Sequence, residues 1–384
     1  MASVHISVKP EIWEWVAKQI SDIQSSTGIY SKLNDWIEGS VLPTFKQIEE
    51  LSKKTGIPLG YFFLNSPPRE DLGVLELRTV DSDRILNPSR ELKNTVQDME
   101  SVQDWMRNYR QENDNDEIWW IGALEKNDVK VAAHKLREIL DIDKDWFKNI
   151  KGAKAAFALL RAKLSECGVV VMMNGIFRNN TRKVLNIKEF RAFALVDKVA
   201  PLIFINSLDS DTGKIFSLLH ETVHLALGSN DLFNAISVED VYVKEDEVFC
   251  NAVTAEILVP QKFLKQYWNL YDKDERIDNL AKVFPCSKLV IARRALDFNL
   301  IDKEEYLAVL KNTQNLIAIK RKKSSGGDYY KTMAQRLDGG LVRSLCAKLA
   351  DGSMSYTEAY RLTNTSGKTF PRIAHDFGGV GFYG

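Results

Sequence analysis

The sequence predicts a multidomain, mostly helical α+β protein. A small antiparallel sheet is expected to pack on a pair of buried helices, with an all-α helix-turn-helix domain in front. Three observations carry this reading. Apolar residues recur at helical spacing through most of the chain. Between residues 168 and 206 that spacing gives way to short continuous or alternating apolar runs, the pattern of strands. Proline and glycine clusters then cut the chain into segments. At 384 residues the length suits two to four domains. The boundaries read as 1–66 for the helix-turn-helix domain, 67–150 for a helical connecting region, 151–310 for the domain that holds the strands, and 311–384 for a C-terminal helical region.

Composition excludes several classes. Lysine plus arginine and aspartate plus glutamate both total 52, so no global charge draws the chain to nucleic acid or to a membrane. The four cysteines, Cys167, Cys250, Cys286 and Cys346, form no Cys-x-x-Cys and read as reduced thiols in core positions. No signal-type segment opens the sequence, and no apolar run is long enough to span a bilayer. A cytoplasmic setting without membrane contact is therefore expected.

In the first segment Ile12, Trp13, Val16, Ala17 and Ile20 fall at helical spacing. A short helix follows, ends at Gly39 and turns through Pro43; Thr44 caps the next helix, which carries Ile48, Leu51 and Ser52 inward and stops near Gly56. The string Leu33-x-x-Trp36-x-Glu38-Gly39-x-x-x-Pro43-Thr44 resembles the XRE-type helix-turn-helix of phage repressors. That resemblance makes Lys32, Asn34 and Trp36 candidate DNA-binding residues on a helix that would enter a major groove. The charge argues the other way. Residues 1–66 hold six lysines, no arginine and seven acids, whereas phosphate affinity comes from clustered basic side chains. A helix-turn-helix kept for protein contacts or dimerisation is the competing reading.

The apolar run 58–64 and the pair Pro67-Pro68 mark a domain boundary. Residues 75–79 read as a short strand, and 88–111 as a long amphipathic helix capped near Asn87 or Ser89. The polar stretch 111–117 is a solvated connector, and the pair Trp119-Trp120 behind it is expected to anchor packing. Residues 127–166 are helical in pattern, with a turn near 141–144. Strands are expected at 168–173, 190–196 and 201–206. Their exposed edge would suit an extended peptide held by backbone pairing, with Arg191 and Phe193 as candidate rim residues.

Residues 215–228 carry the chemistry. Apolar residues surround His220, Glu221 and His224, no proline interrupts the run, and Gly228 closes it, so it reads as a buried helix with a glycine cap. Two histidines four apart leave one face of a helix together and can grip one zinc ion. Glu221 sits one residue round, where it can reach a water activated by that metal, whose pKa falls to about 7. His-Glu-x-x-His therefore proposes metal-assisted hydrolysis, with Glu221 as general base. A second helix pattern, residues 245–259, stops before Pro260. Glu247 and Asn251 share a face of it, Glu247 as the favoured third ligand over Glu245 and Asp246, and Asn251 as acceptor for the free ring N–H of a ligand histidine. Glu256 lies on another face, a candidate for a substrate contact or a salt bridge.

Beyond Pro260 the helical pattern continues. Residues 287–299 place Leu289, Val290, Ala292, Ala295 and Leu296 inward with Arg293 and Arg294 outside, resembling a second small helix-turn-helix element. Residues 320–323 are a basic run that reads as a solvated face or a partner contact, followed by a flexible turn at 324–327 and by Tyr329 and Tyr330, whose hydroxyls are remote candidates for stabilising an oxyanion.

The order His-Glu-x-x-His, then Glu-x-x-x-Asn, is similar to that of thermolysin-like zinc peptidases. With the Trp36-x-Glu38-Gly39 and Pro43-Thr44 strings, Phe190-Arg191-Ala192-Phe193, the run 201–206, Glu247-x-x-Cys250-Asn251 through Pro260 and residues 326–330, most of the chain resembles the ImmA/IrrE-type metallopeptidases in a long form that carries an XRE-type domain in front. The resemblance implies His220, His224 and Glu247 as zinc ligands and Glu221 as general base. It also implies a bacterial or phage setting and a protein substrate, a repressor or antitoxin-like regulator, often encoded nearby on mobile elements, toxin–antitoxin loci or stress operons. Ala192, Cys250 and Val253 depart from the family pattern, which often has glycine, alanine and an aromatic residue there. The strand-side change at Ala192 bears on substrate fit; none of the three touches the ligands. Two other classes stay open: a DNA-binding regulator with a structural or sensory metal site, and a toxin or defence component that acts by binding.

Overall fold

The computed structural model describes residues 4–20, 28–68, 88–229, 232–233, 245–319 and 328–377. The strand expected at 75–79, the cap at Asn87, the basic run 320–323 and the turn 324–327 lie outside the described residues. The chain divides into two compact units, Met1–Gly73 with Asn87–Val96, and Val74–Leu86 with Gln97–Gly384. Among the described residues no helix is long and apolar enough to cross a membrane.

The elements of the first unit, among its described residues, are helices, with one isolated β-bridge between His5 and Thr44. Helix α1 (Pro10–Gln19) has Pro10 at its first position, where a missing N–H costs nothing, and buries Ile12, Trp13 and Val16. A 3₁₀ turn leads into α2 (Leu33–Ile37), and Gly39, at φ 72°, ends it. Helix α3 (Phe45–Thr55) opens with a reciprocal capping box between Thr44 and Gln47 and stops at the left-handed Gly56. Ile48 and Leu51 are buried as expected, and the Ser52 hydroxyl donates to the Ile57 carbonyl at 2.7 Å. Trp36 departs from the expectation of a base-reading residue. It is buried, its ring stacked on Trp13 at 5.7 Å, because the core of so small a unit needs large aromatic area. Lys32 and Asn34 are exposed on the same short segment.

Helix α4 (Arg90–Glu112) starts after Ser89, whose hydroxyl accepts from the Leu92 N–H at 3.1 Å, and its first seven residues count with the first unit. The second unit continues through α5 (Val129–Ile139) and α6 (Gly152–Glu166), separated by a break longer than the expected turn, with Asp141 at φ 47° inside it. Strands β1 (Val170–Asn174), β2 (Ala192–Leu195) and β3 (Leu202–Asn206) then precede α7 (Asp211–Leu227), the two-residue β4 (Leu232–Phe233) and α8 (Glu245–Leu258). Eight more helices follow: α9 (Gln261–Trp268), α10 (Arg276–Val283), α11 (Lys288–Asp297), α12 (Lys303–Ile319), α13 (Tyr329–Arg336), α14 (Gly339–Ala350), α15 (Tyr356–Thr363) and α16 (Phe370–Asp376).

The sheet is mixed, not antiparallel. Its order is β1-β3-β2-β4, with β3 parallel to β1 and antiparallel to β2. The reason is burial. All five residues of β3 are buried, so that strand takes a central place with partners on both sides. The long loop after β1 carries the chain past the place of β3 to β2, and a tight return then lays β3 into the gap. The core of this unit joins the inward sheet residues Val171, Ala194 and Ile203 to Leu218, Leu219 and Val223 of α7 and to Val253 and Ile257 of α8. Trp120 belongs to that core, whereas its neighbour Trp119 is 76% exposed and anchors nothing. All four cysteines are free; Cys250, Cys286 and Cys346 are buried and Cys167 is half-buried.

Candidate metal centre

Helix α7 is capped at both ends. The Ser210 hydroxyl accepts from the Gly213 N–H at 3.0 Å, and Gly228, at φ 76°, closes the far end. Between them every residue from Ile215 to Ala226 is buried, the all-round burial of a central core helix. His220, Glu221 and His224 are fully buried within it. Ionisable side chains placed so deep are costly unless something compensates them, and ligation of a cation does so.

Compensation comes from α8. Three acids, Glu245, Asp246 and Glu247, open this helix, where its positive end favours them. They then separate by direction. Glu245 points to solvent, Asp246 pairs with Lys126, and Glu247 turns inward. Its carboxylate oxygens stand 3.2 Å from His220 Nε2 and 3.1 Å from His224 Nε2, and the two Nε2 atoms are 2.9 Å apart. Ligand atoms of the three residues all lie within 4.8 Å of one another, the one such cluster among the described residues. Burial pushes the His220 imidazole down, toward the neutral form that offers a lone pair. Burial works to raise the Glu247 carboxyl, but the two imidazoles outweigh it and hold the group well below the usual carboxylate range. Two imidazoles and one carboxylate make a three-ligand set of the kind that catalytic zinc takes.

The outer layer is asymmetric. On the His220 side the Asn251 side chain works to raise the imidazole pKa, the sense in which a nearby acceptor acts. On His224 the Nδ1 atom lies 2.9 Å from Ser229 Oγ, with Cys250 Sγ farther off at 3.9 Å. Ser229 went unread because it follows Gly228, where helical spacing no longer says what faces what; the glycine cap itself was the available signal.

The remaining candidates are placed elsewhere. Glu256 is a salt-bridge residue, its carboxylate paired with Arg294 in the core. Arg294 is therefore inward, contrary to expectation, while Arg293 stays outside and pairs with Asp297. Phe193 is fully buried and stacks on Phe204 at 5.2 Å, so it forms no rim. Arg191 is partly exposed and binds the buried Asp209 carboxylate at 2.9 Å. Tyr330 lies under the Arg372 guanidinium at 3.9 Å, and Tyr329 is exposed beside it.

Of the outer strands, β1 is closed to a further strand at its middle. The Val171 N–H donates to Asp338 at 3.2 Å. The Val171 carbonyl accepts from Arg161 at 2.7 Å, and Arg161 also donates to the carbonyls of Gln335 and Leu337, each at 2.6 Å. On the other side of the sheet, among the described residues, β2 pairs with β4 at Ala192 and Phe193.

Residues 169–296 match the family model of M78 peptidases, described as an IrrE N-terminal-like domain. The match runs from the start of β1 into α11 and so contains His220, Glu221, His224 and Glu247. It supports a metallopeptidase of the IrrE/ImmA type. Residues 340–376, from α14 to α16, match a second model, described as a domain of unknown function, DUF8813. Comparison with curated proteins and with solved structures gave no match.

Proposed function

We propose that the chain is a zinc metalloendopeptidase that cleaves one partner protein, a transcriptional repressor or antitoxin-like regulator, in a bacterial or phage regulatory, stress or toxin–antitoxin system. The observation that carries the reading is the convergence of His220, His224 and Glu247, with Glu221 beside them, inside the stretch that matches a peptidase family. His220 and His224 would hold zinc through Nε2 and Glu247 through a carboxylate oxygen. When bound, zinc supplies the charge that polarises a peptide carbonyl and acidifies the attacking water. Glu221 would take the proton of the attacking water and return it to the leaving amine. Asn251, which bears on His220, would help to steady that ring. The buried surroundings of both histidines strengthen each of these electrostatic interactions.

The nature of the substrate rests on the resemblance of the chain to ImmA/IrrE-type proteins. Narrow specificity accords with it, since an unrestrained peptidase inside a cell would damage its host. Metal content by mass spectrometry on wild type and Glu247→Ala, followed by incubation with the product of the neighbouring gene, tests the proposal. One zinc per wild-type chain, much weakened in the variant, is expected. Glu221→Gln should keep the zinc and lose the cleavage. A wild-type chain that takes up no zinc even when it is supplied would sink the reading, and broad cleavage of casein would sink the narrow specificity. A growth effect that survives Glu221→Gln would move the function to binding.

A further inference from the structure

We infer that Ser229 is the positioning residue for His224, and that α7 orients its second histidine with its own C-terminal cap. The inference rests on the zinc reading above and deepens it.

A neutral imidazole carries one N–H and one lone pair, and the partner of one nitrogen decides which is which. His224 Nε2 faces Glu247 and His220 at 3.1 and 2.9 Å. For that nitrogen to offer its lone pair to a cation, the proton must sit on Nδ1, and Nδ1–H then needs an acceptor. A serine hydroxyl can accept as well as donate, and Ser229 Oγ lies 2.9 Å away. The Cys250 thiol at 3.9 Å is a far weaker partner.

The chain goes to some length to put Ser229 there. Five residues of unbroken helix would carry a side chain about 140° round the axis from His224. Gly228 breaks the helix instead, at φ 76°. The chain doubles back, and the Ser229 N–H donates to the carbonyl of His224 itself at 3.1 Å. Ser229 is thus fastened to the backbone of the residue whose ring it holds. A second segment fixes the turn from outside. The Gly122 N–H donates to the Leu225 carbonyl at 3.0 Å, and the Leu124 N–H to that of Ala226 at 2.8 Å. The two strands of chain pass so closely that a Cβ on Gly228 would stand 3.1 Å from Gly122 Cα.

The two histidines are therefore steadied by different elements. Asn251, which bears on His220, stands on α8, the helix that also carries Glu247, whereas Ser229 meets His224 from the turn that closes α7. Removal of the Ser229 hydroxyl should then weaken metal binding without disturbing α8.

The experiment uses the full chain as wild type, Ser229→Ala and Ser229→Thr, each stripped of metal. Zinc affinity is read by competition with a chromophoric chelator, coordination by the visible spectrum of the cobalt-substituted protein, and folding by the melting temperature of the metal-free form. The alanine variant should bind zinc about 10- to 100-fold more weakly and show an altered cobalt spectrum, with the melting temperature of the metal-free form kept. The threonine variant, which keeps the hydroxyl, should stay near wild type. Wild-type affinity in Ser229→Ala would overturn the inference while leaving the zinc site standing. Equal losses in the alanine and threonine variants would overturn it as well. A loss matched by melting of the metal-free protein would assign Ser229 to the cap alone. Failure of the wild type to bind zinc would overturn the zinc reading and this inference together.

Discussion

Replacement of Arg294 by methionine tests what holds α8 in place. The Glu256 and Arg294 side chains are 4% and 6% exposed, so the pair is dry. Besides the Glu256 carboxylate, Arg294 donates to the Val259 carbonyl from two nitrogens, each at 3.3 Å. Glu256 is otherwise served by the Gln261 N–H at 3.2 Å, and Arg137 donates to its backbone carbonyl, also at 3.2 Å. Methionine fills much of the volume of arginine but leaves a buried carboxylate with one backbone donor. The loss of one partner from such a pair costs about 3–5 kcal/mol. At about 2–4 °C per kcal/mol for a unit of this size, the second unit should melt about 6–20 °C lower by calorimetry. Removal of both charges, as Glu256→Leu with Arg294→Met, should recover most of that, because no charge is then stranded. The far end of α8 carries Glu247, so the single variant should also bind zinc more weakly. A cost below about 1 kcal/mol would refute the reasoning, as would a double variant no more stable than the single one.

Three further outcomes follow from the same geometry. Asp197 accepts from the Val199 and Ala200 N–H groups and from Arg107; burial works to raise its pKa, yet these partners hold it below the ordinary value of 3.8. A depressed carboxyl contributes stability that is present above the unfolded pKa and lost as pH falls through the folded one, so urea midpoints below about pH 4 should fall less steeply in Asp197→Asn than in wild type. Asp338→Ala removes both the cap of α14 and the acceptor of the Val171 N–H, and should cost about 2–4 kcal/mol with faster exchange of the Val171 amide; unchanged exchange would show that β1 needs no such closure. Iodoacetamide on the native chain should spare Cys250 and Cys286, both buried, the latter with its thiol pushed up by that burial, while denatured protein should react at all four cysteines.

Much of the site was legible because its spacing is local. His220 and His224 share a helix face by arithmetic alone, and any buried helix that carries them makes the same proposal. Glu247 comes from a different helix, yet it too stood out, as an acid at the start of an apolar run with Asn251 one turn on. Thr44 and Gly56 were legible for a similar reason, since caps are written within a few residues of the helices they close. The sheet was legible as strands but not as an order. Apolar runs show that residues 170–174 and 202–206 are buried strands, but nothing in either run states that they lie parallel. That follows from which strand takes the centre, a choice made by the whole core.

The misread residues share a physical cause. An apolar side chain announces an inward position, because water rejects it whatever its neighbours. A charge makes no such announcement; it goes inward only where a partner meets it, and the partner is elsewhere in the chain. Arg293 and Arg294 are adjacent and chemically identical, yet one pairs with Asp297 at the surface and the other with Glu256, 38 residues away, in the core. Asp338 reads as an ordinary cap of α14, but its second oxygen closes the edge of β1 from 167 residues beyond Val171. Such pairings also connect the candidate catalytic domain to its surroundings. The Arg294 pair ties the helix that carries Glu247 to α11, and the Asp338 contact ties the sheet to the C-terminal helices. Substitutions at these remote charges should therefore reach the candidate metal centre through the elements they hold.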